Sequence, residues 1–271
     1  MNLPPPAADQ AYCDISAVDS GRIYGAPLRP LVDAAKDDER ANLPCLAFVL
    51  HHSRTCETFL FDLGIRPDLE NLRGAGARAS QMGMKLEGRD IPAALEKGGL
   101  PRADVKHVAI SHIHYDHTGV PRAFPNATFL LGAGAKPIIE ALDPDSDSTI
   151  YAIDVPFERT HFLDSTAEWA RSVPSPAPST STETGAYGGW VFLAADSAHD
   201  WRLLTGGAGV GHHHKWGCVH EDPAKAQETI ERIKALVGYP RVRVLLAHDV
   251  PFVNANAADG RGYWPDKIES L

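Results

Sequence analysis

The segment Ser111-His112-Ile113-His114-Tyr115-Asp116-His117-Thr118-Gly119 constrains the fold and the chemistry of this chain more than any other stretch. It follows an apolar run from Val105 to Ile110, whose length and composition predict a buried β-strand. On extended backbone the rings of His112 and His114 point to the same side, and the turn after them carries Asp116 and His117 to a second position nearby. Because imidazoles and carboxylates bind divalent metals, the segment predicts a metal site at a strand end with ligands for two adjacent cations.

The alternative is that these histidines are ordinary surface or core residues of a His-rich chain, which has 13 histidines in 271 residues. At that frequency, three histidines and an aspartate at fixed offsets arise by chance in roughly one chain in several hundred. We therefore favour the metal site.

The pattern His-x-His-x-Asp-His resembles the signature of the metallo-β-lactamase superfamily, and Phe124–Thr128 and Gly132–Gly134 make it most similar to lactonase-like members. The resemblance covers roughly residues 45 to 250. It implies an α/β fold, an αββα sandwich of two mixed β-sheets flanked by helices, with one or two metals at the edge between the sheets. It also implies a metal-dependent hydrolase whose metal-bound hydroxide attacks a lactone or ester, as in N-acyl homoserine lactonases and related quorum-quenching proteins.

Carried over position by position, the resemblance implies a first metal held by His112, His114 and a further histidine, and a second held by Asp116, His117 and His248. Asp196, at the end of an apolar run, would bridge the two metals, although an aspartate at a strand end is also a common helix cap. The implied cofactor is Zn²⁺, one or two per chain, with other divalent metals possible. The metal residues are then His112, His114, Asp116, His117, Asp196 and His248.

Two catalytic residues follow from the same resemblance. Asp116 would orient the hydroxide and pass a proton to the leaving oxygen. His199 lies three residues after Asp196, where lactonases often have a tyrosine, and is a candidate proton donor. The segment Phe61-Asp62-Leu63-Gly64 resembles a family element whose aspartate accepts hydrogen bonds behind the loop that carries the metal ligands, here Ser111–Gly119 and called the metal loop below. An aspartate at this position, Asp62, is also typical of a turn.

One ligand of the first metal has no counterpart. Related lactonases carry Pro-Gly-His-x-x-Gly-His before the bridging aspartate, and no segment between His117 and Asp196 matches it. His161 is the only histidine in that interval. Either His161 substitutes, or it is structural and the segment has been lost between Asp164 and Ala170. We expect the first metal to bind more weakly than the second.

Composition narrows the function further. A net charge of −9 without a block of basic residues argues against binding nucleic acid, and no apolar run reaches membrane length. The N-terminus lacks the basic and apolar parts of a secretion signal, so we expect a cytoplasmic protein. The partner that the family resemblance implies is a small-molecule ester or lactone substrate. The four cysteines are scattered without a metal-type pair, which predicts reduced, mostly buried thiols. The sequence leaves the oligomeric state open.

The chain is expected to form a single metallo-β-lactamase-like domain over residues 1–271, with a loose arm at 1–11 and a flexible Ser/Pro/Thr-rich loop at 172–189. Residues 31–41 indicate a loop or short helix. The loop 205–217 contains His212, His213 and His214, and three adjacent histidines in a Gly-rich loop favour a solvated stretch. The alternative is that this loop borders the active-site mouth. Strands are predicted at Tyr12–Val18, Leu46–His52, Thr58–Gly64, Val105–Ile110, Thr128–Leu131, Trp190–Asp196 and Val242–Ala247, and helices at Asp90–Gly99, Ala135–Leu142 and Ala224–Val237.

Two other functions fit the same residues. The chain could be a non-catalytic protein that retains the fold with an incomplete metal site. It could also be a thioesterase- or glyoxalase-type hydrolase with the same mechanism and a different pocket. Metal content separates the first alternative from an enzyme, because a dinuclear hydrolase needs close to two equivalents.

Overall fold

A computed structural model describes residues 10–142, 151, 153–164 and 189–269. The arm and the Ser/Pro/Thr-rich loop that the sequence predicts lie almost entirely outside these ranges. The strands are β1 Cys13–Pro27, β2 Arg40–His52, β3 Thr58–Phe61, β4 Lys85–Gly88, β5 Val105–Ala109, β6 Thr128–Gly132, β7 Thr160–Leu163, β8 Trp190–Ala195 and β9 Val242–Leu246. The helices are α1 Gly74–Gln81, α2 Ile91–Lys97, α3 Tyr115–Thr118, α4 Ala135–Ala141, α5 Trp201–Leu204, α6 Pro223–Lys234 and α7 Val250–Asn256.

The strands form two sheets. The larger is mixed and has the order β4-β1-β2-β3-β5-β6-β7, with antiparallel pairs from β4 to β3 and parallel pairs from β3 to β7. In the second sheet β8 and β9 pair in parallel. Helices pack on both sheets, so the predicted α/β architecture with two sheets is confirmed. Among the described helices, none is long and apolar enough to cross a bilayer.

The side chains of β2 show how the sheets pack. Ala47 and Val49 belong to the core between the large sheet and helix α2, whereas Leu46 and Phe48 belong to the core that also contains Leu245 of β9. All four are at most 2% exposed. Successive residues of a strand point to opposite faces, so this continuous apolar run fits a strand buried on both sides. The large sheet is therefore covered by helices on one face and by the second sheet on the other.

The predicted pairing of the second and third strands is confirmed, with Phe48 opposite Phe61. The first two strands are longer than predicted, because β1 continues to Pro27 and β2 begins at Arg40. Polar residues between Asp19 and Arg22 hide this continuation, and the register shifts there, as at a β-bulge. Residues 28–39 form turns, which agrees with the predicted loop, whereas residues 40 and 41 are strand.

Helix ends follow their capping residues. The Asp90 carboxylate accepts a hydrogen bond from the Ala93 N–H at 3.0 Å, and Asp222 accepts one from the Lys225 N–H at 2.9 Å. Helix α6 ends at Lys234 rather than at Val237, and the next residues continue as turns. All four cysteines are free thiols, but the prediction that they are mostly buried is wrong, because only Cys45 is buried. Cys56 lies in the exposed turn between β2 and β3.

A backbone contact fixes the metal loop against β3. Gly64 has φ +66°, and a Cβ there would lie 2.2 Å from the carbonyl oxygen of Ser20. The Gly119 N–H donates a hydrogen bond to the Gly64 carbonyl at 2.9 Å. Since only glycine combines this φ with so close an approach, the predicted sharp turn at Gly64 is confirmed.

Candidate metal centre

Three strand ends deliver the predicted ligands to one place. His112 and His114 follow β5, and Asp116 and His117 lie in the short helix α3 directly after them. Asp196 follows β8, and His248 lies two residues beyond the end of β9. Ala195, immediately before Asp196, has φ +45°, a conformation that non-glycine residues rarely adopt and that marks a constrained turn.

The first cluster is the buried group, made of Asp116, His117, Asp196 and His248. One ligand-type atom from each lies within 4.8 Å of those of the other three. The Nε2 atom of His248 is 3.4 Å from Asp116 Oδ2 and 3.4 Å from Asp196 Oδ1, and His117 Nε2 is 3.2 Å from Asp196 Oδ2. This group matches the predicted second metal position.

The second cluster is the outer group, made of His112, His114 and Asp196, whose ligand-type atoms also lie within 4.8 Å of one another. His112 Nε2 and His114 Nδ1 are 2.9 Å apart, as expected for rings that point to the same side of an extended segment. Asp196 belongs to both groups, which is the position of a bridging carboxylate.

Asp62 holds the metal loop from behind. Its carboxylate accepts hydrogen bonds from the Ser111 N–H at 2.7 Å, the Ser111 hydroxyl at 2.8 Å and His117 Nδ1 at 2.8 Å. Asp62 is 1% exposed and has φ +62°. Because His117 donates through Nδ1, its Nε2 lone pair is left free to face Asp116 and Asp196.

The donor atoms fit a divalent metal. His248 donates from Nδ1 to the Pro44 carbonyl at 2.7 Å, so its Nε2 also faces the cluster with a free lone pair. His117 Nε2 and Asp196 Oδ1 are buried without a hydrogen-bond partner in the part of the chain that the structure describes. Unpaired polar atoms are costly to bury, and a cation between them would satisfy both.

Protons and cations compete for these atoms. Burial favours neutral imidazoles, but the Asp196 and Asp116 carboxylates outweigh it and raise the pKa of His117 and of His248 well above the ordinary value. Burial likewise raises the pKa of Asp196, but His117, His199 and His248 outweigh it and hold that pKa well below its usual range. These shifts favour a proton on Nε2 of both histidines when no metal is bound, so a metal would have to displace that proton to use the Nε2 lone pair.

His199 also reaches the cluster. It is 5% exposed, its Nε2 lies 3.1 Å from Asp196 Oδ2, and its Nδ1 is buried without a hydrogen-bond partner among the described residues. Its ring centroid lies 5.1 Å from that of His220, a residue that the sequence reasoning missed. Burial and the nearby His199 lower the pKa of His220 to about 4, so its ring is neutral at physiological pH. In the sequence, His220 is marked only by its position two residues before Asp222, the N-cap of α6, and by no motif.

Two other histidine predictions have different outcomes. His161 lies on β7, where it is exposed, and it belongs to neither metal group. In the predicted solvated stretch His212 and His214 are exposed, but His213 is only 6% exposed, so that prediction is wrong for His213. The reason is a tight turn in which His213 Nδ1 accepts hydrogen bonds from the backbone N–H groups of Lys215 and Trp216 at 3.0 and 3.2 Å.

Two cavities meet at the cluster. The smaller has a volume of about 230 Å³ and mostly apolar walls that include Leu31, Leu43 and Trp216, and it reaches Asp116 and His199. The larger has a volume of about 630 Å³ and reaches His112, His199, His220 and Glu221. Trp216 of the loop 205–217 lines the smaller cavity, which fits the alternative that this loop borders the site mouth.

Curated relatives are similar to part of the chain. The gamma-lactamase FDB1 of Fusarium pseudograminearum (strain CS3096) is 29% identical over 151 residues, covering 50% of this chain and 36% of that protein. The gamma-lactamase MBL2 of Gibberella moniliformis (strain M3125 / FGSC 7600) is 41% identical over 97 residues, covering 34% of this chain and 40% of that protein. The chain thus spans well under half the length of these relatives.

Solved structures share the fold. A quorum-quenching N-acyl homoserine lactone hydrolase aligns with a TM-score of 0.66 at 16% identity, covering 96% of this chain and 100% of that one. AidC, a dizinc quorum-quenching lactonase, aligns with a TM-score of 0.52 at 15% identity, covering 90% of each chain. The family model described as the metallo-beta-lactamase superfamily matches residues 43–182, just over half of the sequence. With its strand-end ligand clusters, the chain belongs to the metallo-β-lactamase superfamily.

Proposed function

We propose that this protein is a divalent-metal-dependent hydrolase of a small lactone or ester. The convergence of two ligand clusters on one shared carboxylate, Asp196, carries this proposal. Histidine and carboxylate ligands suit zinc, and a dizinc lactonase is among the proteins with a similar fold. We therefore propose zinc as the metal. The proposed ligands are the six residues His112, His114, Asp116, His117, Asp196 and His248, within one domain.

When bound, divalent cations at these groups lower the pKa of water to around 7 and polarise a carbonyl oxygen. The protein supplies orientation. Asp62 fixes the ring of His117 through Nδ1, and the Pro44 carbonyl fixes the ring of His248 in the same way. Both rings therefore present Nε2 to the cluster without rearrangement, which preorganises the site.

In lactone hydrolysis water adds to the carbonyl carbon, the ring C–O bond breaks, and the released oxygen takes up a proton. Asp116 lines the smaller cavity next to the cluster, where its carboxylate would orient the attacking water, accept its proton and pass that proton to the leaving oxygen. His199 lines both cavities and is the alternative donor to the leaving oxygen; it would then recover a proton from Asp116 through solvent. Both roles are part of the proposal.

A second candidate is the hydrolysis of a γ-lactam. The names of the two curated relatives favour it, because both are described as gamma-lactamases. The addition step is the same for an amide, but the leaving groups differ. An amide anion is a much poorer leaving group than an alkoxide, so the lactam nitrogen must be protonated as the C–N bond breaks. A lactamase therefore depends more strongly on its proton donor than a lactonase does. A His199→Ala variant should therefore lose lactamase activity more completely than lactonase activity.

The test is metal analysis combined with activity. The protein is expressed in zinc-supplemented medium, its zinc content is measured by elemental analysis, and hydrolysis of N-hexanoyl homoserine lactone, phenyl acetate and a γ-lactam is followed. We expect between one and two zinc equivalents per chain and turnover of the lactone or the ester. His248→Gln should remove both the zinc of the buried group and the activity.

The matched control is His107→Gln. His107 lies on β5, the strand that leads into the metal loop, and its ring faces Phe59 at 6.3 Å between centroids, outside both metal groups. This variant should keep its zinc and its activity. A protein without zinc after supplementation would contradict the metal site, whereas zinc-loaded protein that cleaves none of the substrates would favour the non-catalytic alternative.

A further inference from the structure

Two cations sit on one tryptophan at the wall of the smaller cavity. The guanidinium carbon of Arg78 lies 5.9 Å from the centroid of the Trp216 ring, and the Lys215 ammonium lies 4.3 Å from it. Arg78 comes from the last turn of α1, and the other two residues come from the loop after α5. Arg78 and Trp216 both line the cavity that ends at Asp116.

Neither cation is neutralised by a described residue. The side chains of Arg78 and Lys215 make no ion pair and no side-chain hydrogen bond within residues 10–142, 151, 153–164 and 189–269. Other basic residues of the same region are paired, as in the contact of Arg29 with Asp37 at 3.6 Å. In a chain of net charge −9, two cations therefore lie beside one cavity without an ion-pair partner among the described residues, and either is available to an anionic ligand.

The smaller cavity, which runs from Arg78 and Trp216 to the metal centre, has mostly apolar walls. Its wall includes Ala26, Ala75 and Ala79, whose small side chains leave space, and Leu31 and Leu43, which make it hydrophobic. Its volume is about 230 Å³, and a cavity of about 150 Å³ is enough for benzene. It therefore admits one ring or a short acyl chain.

We propose that the substrate has a compact apolar body with an anionic group, such as a carboxylate, at the end opposite the scissile carbonyl. Arg78 and Lys215 are then specificity-determining residues that bind this anion beside Trp216. The proposal rests on the proposed hydrolase function and narrows its substrate class. Arg78 and Lys215 are both exposed, and water screens an exposed charge, so each contributes a preference of only a few-fold.

The test compares two esters that differ only at the far end of the acyl chain. The 4-nitrophenyl ester of hexanoic acid ends in a methyl group, and the 4-nitrophenyl monoester of adipic acid ends in a carboxylate. We expect zinc-loaded wild type to prefer the adipate ester by about three- to tenfold in kcat/KM, after subtraction of the uncatalysed rate. The preference should decrease with added salt.

The decisive variant is Arg78→Gln/Lys215→Gln, in which the preference should fall to about onefold. Arg232→Gln, which removes an exposed arginine from α6, should retain the wild-type preference. An unchanged preference in the double variant, or none in wild type, would overturn the inference. Thermal unfolding of each variant checks that the fold is intact.

A binding measurement separates this inference from the proposed function. The anilide of hexanoic acid and the monoanilide of adipic acid are stable to hydrolysis, and their dissociation constants can be measured by calorimetry on zinc-loaded protein. If neither of these esters nor any of the substrates of the first test is cleaved, the hydrolase proposal fails, but tighter binding of the adipate anilide that disappears in the double variant still supports the anion site. If the tighter binding persists in the double variant, the carboxylate binds elsewhere and the inference is wrong.

Discussion

Replacing Asp62 by asparagine tests how the fold prepares the metal site. Asparagine is nearly isosteric with aspartate and tolerates the left-handed conformation that Asp62 adopts at φ +62°. It can still accept the Ser111 N–H through its carbonyl oxygen. Its amide group, however, would face the Ser111 hydroxyl and His117 Nδ1, where the carboxylate now accepts two hydrogen bonds. The variant therefore removes the charge and two acceptor contacts without changing the backbone.

The magnitude follows from these contacts. Facing an amide N–H, His117 would accept through Nδ1 and carry its proton on Nε2, the atom that must bind metal. Loss of such a supporting partner costs about 10- to 100-fold in metal affinity, or about 1.4 to 2.7 kcal/mol. The loss of two buried hydrogen bonds to a charged group should also destabilise the metal-free protein by about 3 kcal/mol, which lowers Tm by roughly 5 to 10 °C.

An opposing effect makes the experiment informative. Asp62 is one of the carboxylates that raise the pKa of His117, so its removal also lowers the affinity of His117 for the proton that competes with metal. If proton competition dominated, Asp62→Asn would bind zinc more tightly at neutral pH. We expect the tautomer effect to win, because Asp196 and Asp116 remain to hold the proton.

Chelator competition at fixed pH measures the affinity, and calorimetric unfolding measures the stability. Asp154→Asn is the control, since Asp154 forms an exposed ion pair with Arg122 at 2.6 Å and its loss should cost less than about 1 kcal/mol. Zinc affinity in Asp62→Asn equal to or above that of wild type would refute the orientation argument.

Other predictions follow from the same contacts. Zinc binding at pH 7 should release about two protons, because His117 and His248 have raised pKa values and must lose their protons to bind metal. The apparent zinc affinity should therefore rise with pH until those pKa values are passed. Titration calorimetry in buffers of different ionisation enthalpy measures the proton release, and a binding enthalpy that is the same in every buffer would contradict it. The outer group should bind zinc more weakly than the buried group, with the weaker step removed by His112→Ala in a chelator titration; two equal affinities would contradict this. His161→Ala should leave the zinc stoichiometry unchanged, since His161 is exposed on β7, and a lost equivalent would make it a ligand. Gly64→Ala should cost at least about 2 kcal/mol by denaturant unfolding, whereas Gly99→Ala, with φ +91° and no atom within 4 Å, should cost only about 1 kcal/mol.

The metal loop could be predicted from sequence because its geometry is local. The spacing of His112 and His114 sets their common direction, and Asp116 and His117 follow within one turn. The relative positions of these four residues do not depend on contacts with residues that are distant in the sequence. Asp196 and His248 were placed by the family resemblance instead, and in the structure they lie near each other because β8 and β9 pair in parallel and so end at the same edge.

Residues whose roles depend on distant contacts were not predicted in the same way. His213 looks solvated in a Gly-rich loop with two other histidines, and only the fold of the following turn buries it. His220 carries no motif, and its approach to His199 depends on how the loop before α6 packs. The strand β4 contains Lys85 and Glu87 between few apolar residues, so it forms by pairing with β1 rather than by its own hydrophobicity.

Helix α1 shows why the proposed substrate cavity was invisible in the sequence. Its residues, Gly-Ala-Gly-Ala-Arg-Ala-Ser-Gln, lack the large apolar side chains at helical spacing that predict a buried helix. The same small residues leave the space beside Leu31 and Leu43 that larger side chains would fill. Ala75 and Ala79 are at most 2% exposed, so enlarging either would close the cavity from within. The feature that weakens the helix signal is therefore the feature that makes room for a ligand, and Arg78 lies between these alanines on the same helix.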